Sequence, residues 1–419
     1  MGKGIVKLGD SKWATKDGNL LAYKETNNRF TNTEFTFARG TDATYVDGAG
    51  LIVNETGDDT PRIDFLDNTD GHLLLEPAST NLITYSEDFS QGYYVKANSL
   101  TVTSNNSISP DGTINASLIN SPDTSNNNFS RDFTVSTSTD YTSSIFIKKD
   151  DDESRFPEFG LRFYTTGTAD EQYTQINTKT GATTVRLESG TNSHKVEDYG
   201  DYWKLSLTTN SDIHTAGVWI FNPAKSDTIG TDNQQIGSAI IWGGQFEALS
   251  YATSYIPTAG TTVTRDAETC NSAGTAQDFN DTEGVLYAEL FAIDEPTNKF
   301  IAISDGTDDN RITIYYHSAN NDLSTQVKVG GSEQMGLATS GISREQFNKI
   351  AVSYKVNEFK MYVNGSQIGA TDTSGSVPSG LNTITFDRGD GSDDFYGKCK
   401  AIKVYKEALS DAELIALTT

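Results

Sequence analysis

Cysteine, histidine and long apolar runs are scarce in this sequence of 419 residues. Two cysteines and four histidines are too few for a disulfide framework or a zinc site. No stretch approaches the roughly 20 apolar residues of a membrane-spanning helix, and the first residues lack the apolar core of a secretory signal peptide. We therefore expect no membrane insertion and no export by a signal peptide. We expect Cys270 and Cys399 to be buried thiols, with a bridge between them as the alternative.

Positive charge is also in short supply. The chain has 32 lysines and arginines against 57 aspartates and glutamates, so its net charge is -25 and its pI is near 4.4. Phosphate backbones and anionic lipids would be repelled by most of such a surface. The charge therefore argues against a nucleic acid partner, and it is typical of a protein kept soluble at high concentration.

Turn-forming residues and aromatics are abundant. The chain has 36 glycines, 19 tyrosines and 20 phenylalanines but only 9 prolines. Apolar residues alternate in runs such as 144–148 (SIFIK), 159–164 (FGLRFY) and 358–363 (EFKMYV), which is the pattern of half-buried strands. A helix is predicted only over residues 411–417, where Ser410 and Glu413 form a capping box. The pattern predicts an all-β chain of tandem antiparallel sandwiches, such as jelly rolls, with a short C-terminal helix.

The length exceeds what one hydrophobic core usually serves, so several domains are expected. Residues 1–80 contain short apolar pieces separated by glycine turns, and we predict that they form an attachment or oligomerisation module. Two sandwich domains follow, over residues 81–265 and 280–419. On this division, deletion of residues 1–30 should leave both sandwiches folded.

Several motifs carry a resemblance to known families. A set of short stretches resembles a block common in bacteriophage tail and fibre proteins: 37–47 (FARGTDATYVD), 50–51 (GL), 61–62 (PR), 74–82 (LLEPASTNL), 85–89 (YSEDF), 242–247 (WGGQFE), 252–258 (ATSYIPT) and 263–265 (VTR). The resemblance implies a virion surface component, such as a tail fibre, tail-tip adhesin or head fibre, assembled in the cytoplasm of the bacterial host. It also implies a homotrimer whose first 80 residues contact other virion proteins.

The last domain carries a second resemblance. The stretches 349–354 (KIAVSY), 361–365 (MYVNG) and 401–411 (AIKVYKEALSD) resemble concanavalin A-like sandwiches of the laminin-G type. The middle domain is interpreted as similar to a carbohydrate-binding module. These likenesses imply a lectin-like fold but no particular ligand, because the fold hosts lectins, hydrolases and plain spacers.

Catalytic motifs are missing from the sequence. The Glu-x-Asp-x-x-Glu strand of concanavalin-like glucanases and the Gly-x-Ser-x-Gly elbow of serine hydrolases do not occur, and the histidines are scattered. We therefore predict no catalytic residues and no enzyme. Acidic loops at 305–310 and 387–394 offer oxygen ligands that suit calcium, but Asp and Asn also simply favour turns. No cofactor is required, and both interpretations of these loops stay open.

Glycan recognition uses aromatic faces together with polar side chains that grip hydroxyls. The tryptophans at 203, 219 and 242 alternate with apolar residues, which favours core positions. The tyrosine pair beside Gly92 is interpreted as exposed, and a second pair ends a strand near the loop at 305–310. The predicted glycan-binding residues are Tyr93, Tyr94, Tyr315, Tyr316, Asp308 and Asn310.

Three functions follow from these observations. The first is a fibre or tail adhesin that binds host-surface polysaccharide. The second is a purely structural virion component, such as a head fibre or tail decoration, whose sandwiches act as spacers. The third is an enzyme that degrades capsule or cell-wall glycan.

Overall fold

The computed structural model describes residues 5–57, 59–293, 297–318 and 322–419. Strands make up 53% of the structure and helix 2%, and every pairing between neighbouring strands described here is antiparallel. The predicted all-β class with a short C-terminal helix is confirmed. Among the described residues, no helix has the length and apolar character needed to span a membrane.

The strands follow one another in short steps along the chain. In order they are β1 (Ile5–Gly9), β2 (Thr15–Lys16), β3 (Asn19–Lys24), β4 (Arg29–Ala38), β5 (Ala43–Val46), β6 (Ile52–Glu55), β7 (Arg62–Asp64), β8 (His72–Leu75), β9 (Ser79–Asn81), β10 (Val95–Lys96) and β11 (Thr101–Ile108). They continue as β12 (Ile114–Ser121), β13 (Phe129–Thr134), β14 (Asp140–Lys148), β15 (Phe156–Thr165), β16 (Thr168–Ile176), β17 (Thr183–Ser189), β18 (Asn192–Tyr199), β19 (Tyr202–Asn210), β20 (Ala216–Ser226), β21 (Gly237–Glu247) and β22 (Val263–Arg265). The last are β23 (Thr269–Asn271), β24 (Glu283–Ala292), β25 (Lys299–Ser304), β26 (Arg311–Tyr316), β27 (Leu323–Val329), β28 (Ser332–Thr339), β29 (Asn348–Lys355), β30 (Glu358–Val363), β31 (Ser366–Asp372), β32 (Thr383–Thr385) and β33 (Gly397–Tyr405). A 3₁₀ turn lies at Glu25–Asn27 and the helix α1 at Asp411–Thr418.

The chain forms two compact units, of which the first combines Met1–Asp42, Glu55–Pro77 and Asp266–Thr419. Its larger sheet has the strand order β23-β4-β3-β1-β33-β24-β29-β30-β31, with β2, β7 and β8 attached. A five-stranded sheet, β28-β27-β26-β25-β32, supplies the other layer. The core contains apolar side chains of both sheets, including Leu286, Ile350, Ile402, Ile301, Ile312 and Val327.

The helix α1 belongs to the first unit and covers the other face of its larger sheet. Leu414 packs there with Tyr287, Ala351 and Tyr362. Glu413 accepts a hydrogen bond from the backbone N–H of Ser410 at 2.9 Å, so the predicted capping box is confirmed. Alternation in β24 thus buries both of its faces, one in the sandwich core and one beneath the helix.

A network of charged side chains is buried in the first unit. Glu268 accepts hydrogen bonds from Arg39 Nη1 and from Arg62 Nε, both at 2.8 Å. Arg62 also donates from Nη2 to Glu76 at 2.9 Å, and the backbone N–H of Glu76 donates to Glu268 at 3.0 Å. The side chains of Glu268 and both arginines are 0% exposed, and the two carboxylates raise the pKa of Arg62. The network connects all three chain segments of the unit.

The second unit consists of Ala43–Asn54 and Ala78–Arg265. One six-stranded sheet has the order β10-β13-β20-β15-β16-β17 and the other β11-β12-β21-β14-β19-β18. Trp219 and Phe221 from the first sheet and Leu205 and Leu207 from the second are completely buried in the core, as the alternation predicted. Trp203 is only partly buried at the edge of this core.

This division differs from the three domains predicted. Strand β1 pairs with β33, with Val6 opposite Val404, and Leu8, Leu20 and Ala22 are buried in the core of the first unit. The N-terminal strands therefore belong to the same sheet as β33, near the C-terminal end of the sequence, and do not form a separate module. Deletion of residues 1–30 would remove these core side chains, so we expect it to unfold the first unit rather than leave it intact.

Both cysteines lie in the core of the first unit. Cys270 on β23 and Cys399 on β33 are buried free thiols, and burial raises the pKa of each. A thiol with a raised pKa is a poor nucleophile, so these residues act as small apolar side chains in packing.

Candidate functional site

A cavity of about 290 Å³ lies in the second unit. Its lining includes Thr44, Asn54, Glu87, Asp111, Trp242 and Tyr255. The hairpin formed by β5 and β6 supplies one wall, and it is held by a hydrogen bond from the backbone N–H of Ile52 to the carbonyl of Pro110, at 2.9 Å. The cavity therefore depends on segments that are distant in the sequence.

Trp242 lies at the cavity because of strand alternation: Ile241 faces the sandwich core, so Trp242 faces away from it. The strand β21 is irregular just after this residue. The pairing of β14 with β21 shifts between Ser144 and Phe146, which marks a β-bulge. Gly243 sits in the bulge at φ +64°, and a Cβ there would lie 2.8 Å from the ring of Phe146. Only glycine fits this position, because it must both turn left-handed and pass close to an aromatic ring.

Tyr255 covers the outer side of Trp242. The two ring centroids are 4.4 Å apart. The phenol donates a hydrogen bond to Glu87 Oε1 at 3.0 Å, and its oxygen is 2.6 Å from the hydroxyl of Ser86. Burial, with the charge of Glu87 beside it, holds the pKa of Tyr255 well above its usual range. The phenol is therefore a fixed neutral donor.

Two carboxylates meet at the cavity. The amide nitrogen of Asn115 donates to Glu87 Oε2 at 2.9 Å and to Asp111 Oδ2 at 3.2 Å. Burial raises the pKa of Glu87, and Asp111 adds to this shift. Asp111 also holds its own turn, because Oδ1 accepts from the backbone N–H of Thr113 at 2.8 Å. Asp111 therefore stabilises its own turn and also lines the cavity.

The arrangement suits a small polar ligand with an apolar face. Aromatic rings pack against the C–H faces of sugar rings, and carboxylates accept hydrogen bonds from hydroxyl or ammonium groups. Within residues 5–57, 59–293, 297–318 and 322–419, no cluster of three or more His, Cys, Asp or Glu side chains could hold a metal ion.

The structure places the first predicted tyrosine pair against the sandwich core. Tyr94 is 3% exposed, and its hydroxyl donates to the carbonyl of Tyr85 at 2.6 Å. Tyr93 is partly buried, and the guanidinium of Arg131 lies 4.0 Å from its ring centroid. The exposure expected of Tyr94 was wrong, because its ring packs on Phe129 and fills the core. Neither residue lines the cavity.

The second predicted group lies in the first unit. Tyr316, predicted as a glycan contact, is completely buried and accepts a hydrogen bond from Asn348 at 3.1 Å, so its ring has no exposed face. Tyr315 points to the opposite face of β26 and stacks on Phe300, with centroids 4.5 Å apart. Strand alternation separates these neighbours, so they do not form one aromatic surface.

The structure brings the two acidic loops together. Asp308 contacts Arg311 and is 3.6 Å from Nε of Arg388, while Arg388 also pairs with Asp390 at 2.8 Å. Asn310 Oδ1 accepts from the backbone N–H of Gly330 at 2.9 Å. Arginines and backbone groups occupy these oxygens, as expected for turns. Calcium binding here remains a prediction, as does a glycan contact by Asp308 or Asn310.

Sequence reasoning missed the two cavity carboxylates. Glu87 lies in the stretch 85–89 (YSEDF) and Asp111 in a plain turn. The available signal was the family-like block, since Thr44, Glu87, Trp242 and Tyr255 all come from its motifs. Their convergence depends on the fold and not on spacing along the chain.

Comparison with known proteins identifies the last domain. Residues 290–415 match the concanavalin A-like lectin/glucanases superfamily. This confirms the lectin-like resemblance of that region and does not extend to the rest of the chain. No curated protein matches the sequence. The resemblance of the earlier motifs to phage fibre proteins remains a prediction.

Solved structures show distant likenesses. The CBM40 of the Ruminococcus gnavus IT-sialidase, bound to α2,3 sialyllactose, is 16% identical; the match covers 36% of this chain and 94% of that one, with a TM-score of 0.30. Domain 4 of the Geobacillus stearothermophilus arabinanase AbnA, in complex with arabinotriose, is 15% identical; the match covers 41% of this chain and 81% of that one, with a TM-score of 0.27. Mouse laminin α1 domains LG4-5 are 8% identical; the match covers 80% of this chain and 92% of that one, with a TM-score of 0.23. Likenesses of this size carry no conclusion about the ligand of this chain.

Proposed function

We propose that this protein is a bacteriophage virion surface fibre or tail adhesin that binds host-surface glycans. The observation that carries the proposal is the cavity in the second unit, where aromatic rings and carboxylates line a space suited to one sugar ring. The family-like motifs support the same function, because four of the cavity residues belong to them.

The assembly expected from this function is a homotrimer on the virion, assembled in the cytoplasm of the host. Its first 80 residues contact other virion proteins. Since β1, β3, β4, β7 and β8 of this region complete the larger sheet of the first unit, such contacts would come from strands built into that unit and not from a separate module. We propose binding without turnover, because the sequence lacks the carboxylate strand of concanavalin-like glucanases.

A purely structural virion component is the second candidate. Other residues of the same motifs have structural roles, because Arg39, Arg62 and Glu76 belong to the buried ion-pair network. Asn81 likewise donates to the carbonyls of Gly244 and Ile256, at 3.1 and 2.9 Å. Motifs that only maintain a fold would serve a spacer equally well.

Binding to bacterial surface polysaccharides separates these functions. The purified full chain is applied to a polysaccharide array and to host cells, before and after periodate oxidation of their glycans. Saturable binding that periodate abolishes supports the adhesin. A folded protein that binds neither supports the structural component, and release of reducing ends from the bound polysaccharide would establish an enzyme instead.

A further inference from the structure

Among the described residues, no cation pairs with either carboxylate of the cavity: the hydrogen bonds to Glu87 and Asp111 from Tyr255 and Asn115 come from neutral donors. By contrast, Glu268 is paired with two arginines, and Glu158 with Arg186. No lysine, arginine or histidine of the described ranges lines the cavity. Two neighbouring carboxylates that share one amide donor repel each other, and a cation between them would relieve that repulsion.

The indole of Trp242 provides a second, independent observation. Trp242 is 0% exposed, and its Nε1 has no hydrogen-bond partner within the part of the chain described. A buried donor without an acceptor carries a desolvation cost. Trp219 Nε1 is also unpartnered, but it lies among core side chains, whereas Trp242 lines an open cavity. A ligand with acceptor oxygens would supply the missing partner.

We propose that this cavity binds a sugar ring bearing a free, protonated amino group. The inference rests on the proposed glycan-binding function and names the ligand class of its site. An ammonium offers three donors, which matches the acceptors of Glu87 and Asp111. Carboxylated or sulfated sugars would be repelled, because the lining supplies acidic groups and no compensating positive charge.

The size of the cavity limits the ligand to one ring. Sites for larger organic ligands begin at roughly 300 Å³, and this cavity holds about 290 Å³. The hairpin wall at Thr44 and Asn54 encloses it on one side. The ligand is therefore a terminal or protruding amino sugar of a polysaccharide rather than an internal stretch of chain.

Calorimetric titration of the full chain with three monosaccharides tests the inference. We expect glucosamine to bind, and N-acetylglucosamine and glucose to bind at least about tenfold more weakly, because they lack the charge-assisted hydrogen bonds. The substitution Glu87→Gln should weaken glucosamine binding by a similar factor while keeping the shape of the side chain. Glu188→Gln removes the same charge at an exposed site of the same unit and should leave binding unchanged.

Equal binding of glucose and glucosamine, or no binding of glucosamine, would overturn the inference. If Glu87→Gln fails to fold, two other measurements test the inference. They are glucosamine binding by Asp111→Asn and the preference of the unmodified chain for glucosamine over glucose. The polysaccharide array distinguishes failure of this ligand class from failure of the proposed glycan-binding function. Polysaccharide binding without glucosamine binding rejects this ligand class and leaves the adhesin standing, whereas loss of both rejects the proposed function as well.

Discussion

Glu268 in the first unit and Glu87 in the second are both acids withdrawn from solvent, but their surroundings are opposite. Glu268 is 0% exposed and lies between two arginines, with a further hydrogen bond from the backbone N–H of Glu76. Among the described residues, Glu87 accepts hydrogen bonds from a phenol and an amide, and burial raises its pKa. The first carboxylate is fully compensated by the fold, and the second is not.

The difference concerns what each acid contributes to stability. Removing one partner from a compensated buried network leaves the others unpaired, so the cost falls on folding. A partly desolvated acid without a cation lowers the stability of the free protein, and under the proposed function a bound ligand would relieve that cost. The same residue type therefore has different consequences in the two units, according to the groups that face it.

Separating the segments of the first unit should have the largest effect. A chain of residues 266–419 alone lacks Arg39, Arg62 and Glu76 and leaves the edge of β33 without β1 and β8. We expect it to show no cooperative unfolding transition in calorimetry. The full chain serves as the control, and a cooperative transition in the fragment would show that the network is dispensable.

Replacement of Glu268 by Gln should come next in size. It leaves Arg39 and Arg62 buried without their shared counter-charge, which should lower the free energy of unfolding of the first unit by about 3–5 kcal/mol. Denaturant-dependent hydrogen exchange on β4 and β33 measures this change. Glu34→Gln, which removes the partner of the exposed Lys16, should cost far less, because solvent screens an exposed ion pair; equal losses would contradict the comparison.

Replacement of Glu87 by Gln should have the smallest effect on stability. Unlike the two changes above, it should not lower the free energy of unfolding. Because the pKa of Glu87 is raised on folding, the folded chain holds this proton more tightly, and stability falls as pH rises from the ordinary pKa through the raised one. In the variant, stability should no longer fall over this pH range, and at pH 7 the variant should be at least as stable as the unmodified chain.

Urea unfolding at pH 4 and pH 7, followed by tryptophan fluorescence, measures the effect, since three of the four tryptophans lie in the second unit. Glu188→Gln is again the matched control. A variant clearly less stable than the unmodified chain at pH 7 would show that Glu87 is a structural acid like Glu268.

Local pattern predicted the secondary structure well. Alternating apolar residues identified strands such as β14, β15, β29 and β30, and the capping residues of α1 were read correctly. The concanavalin A-like region was recognisable because its last strands carry contiguous motifs. These features depend on neighbours in the sequence, which is why they could be predicted.

The sequence by itself determined the all-β class, the terminal helix, the lectin-like last domain and the burial of Trp219. Only the tertiary structure decided that Tyr94 and Tyr316 are core residues, that the N-terminal strands complete the larger sheet, and that Glu87, Asp111, Trp242 and Tyr255 share one cavity. The physical reason is that periodicity fixes which face of a strand a side chain occupies. What covers that face is set by contacts between segments more than a hundred residues apart, and those contacts decide whether a buried acid is paired with a cation.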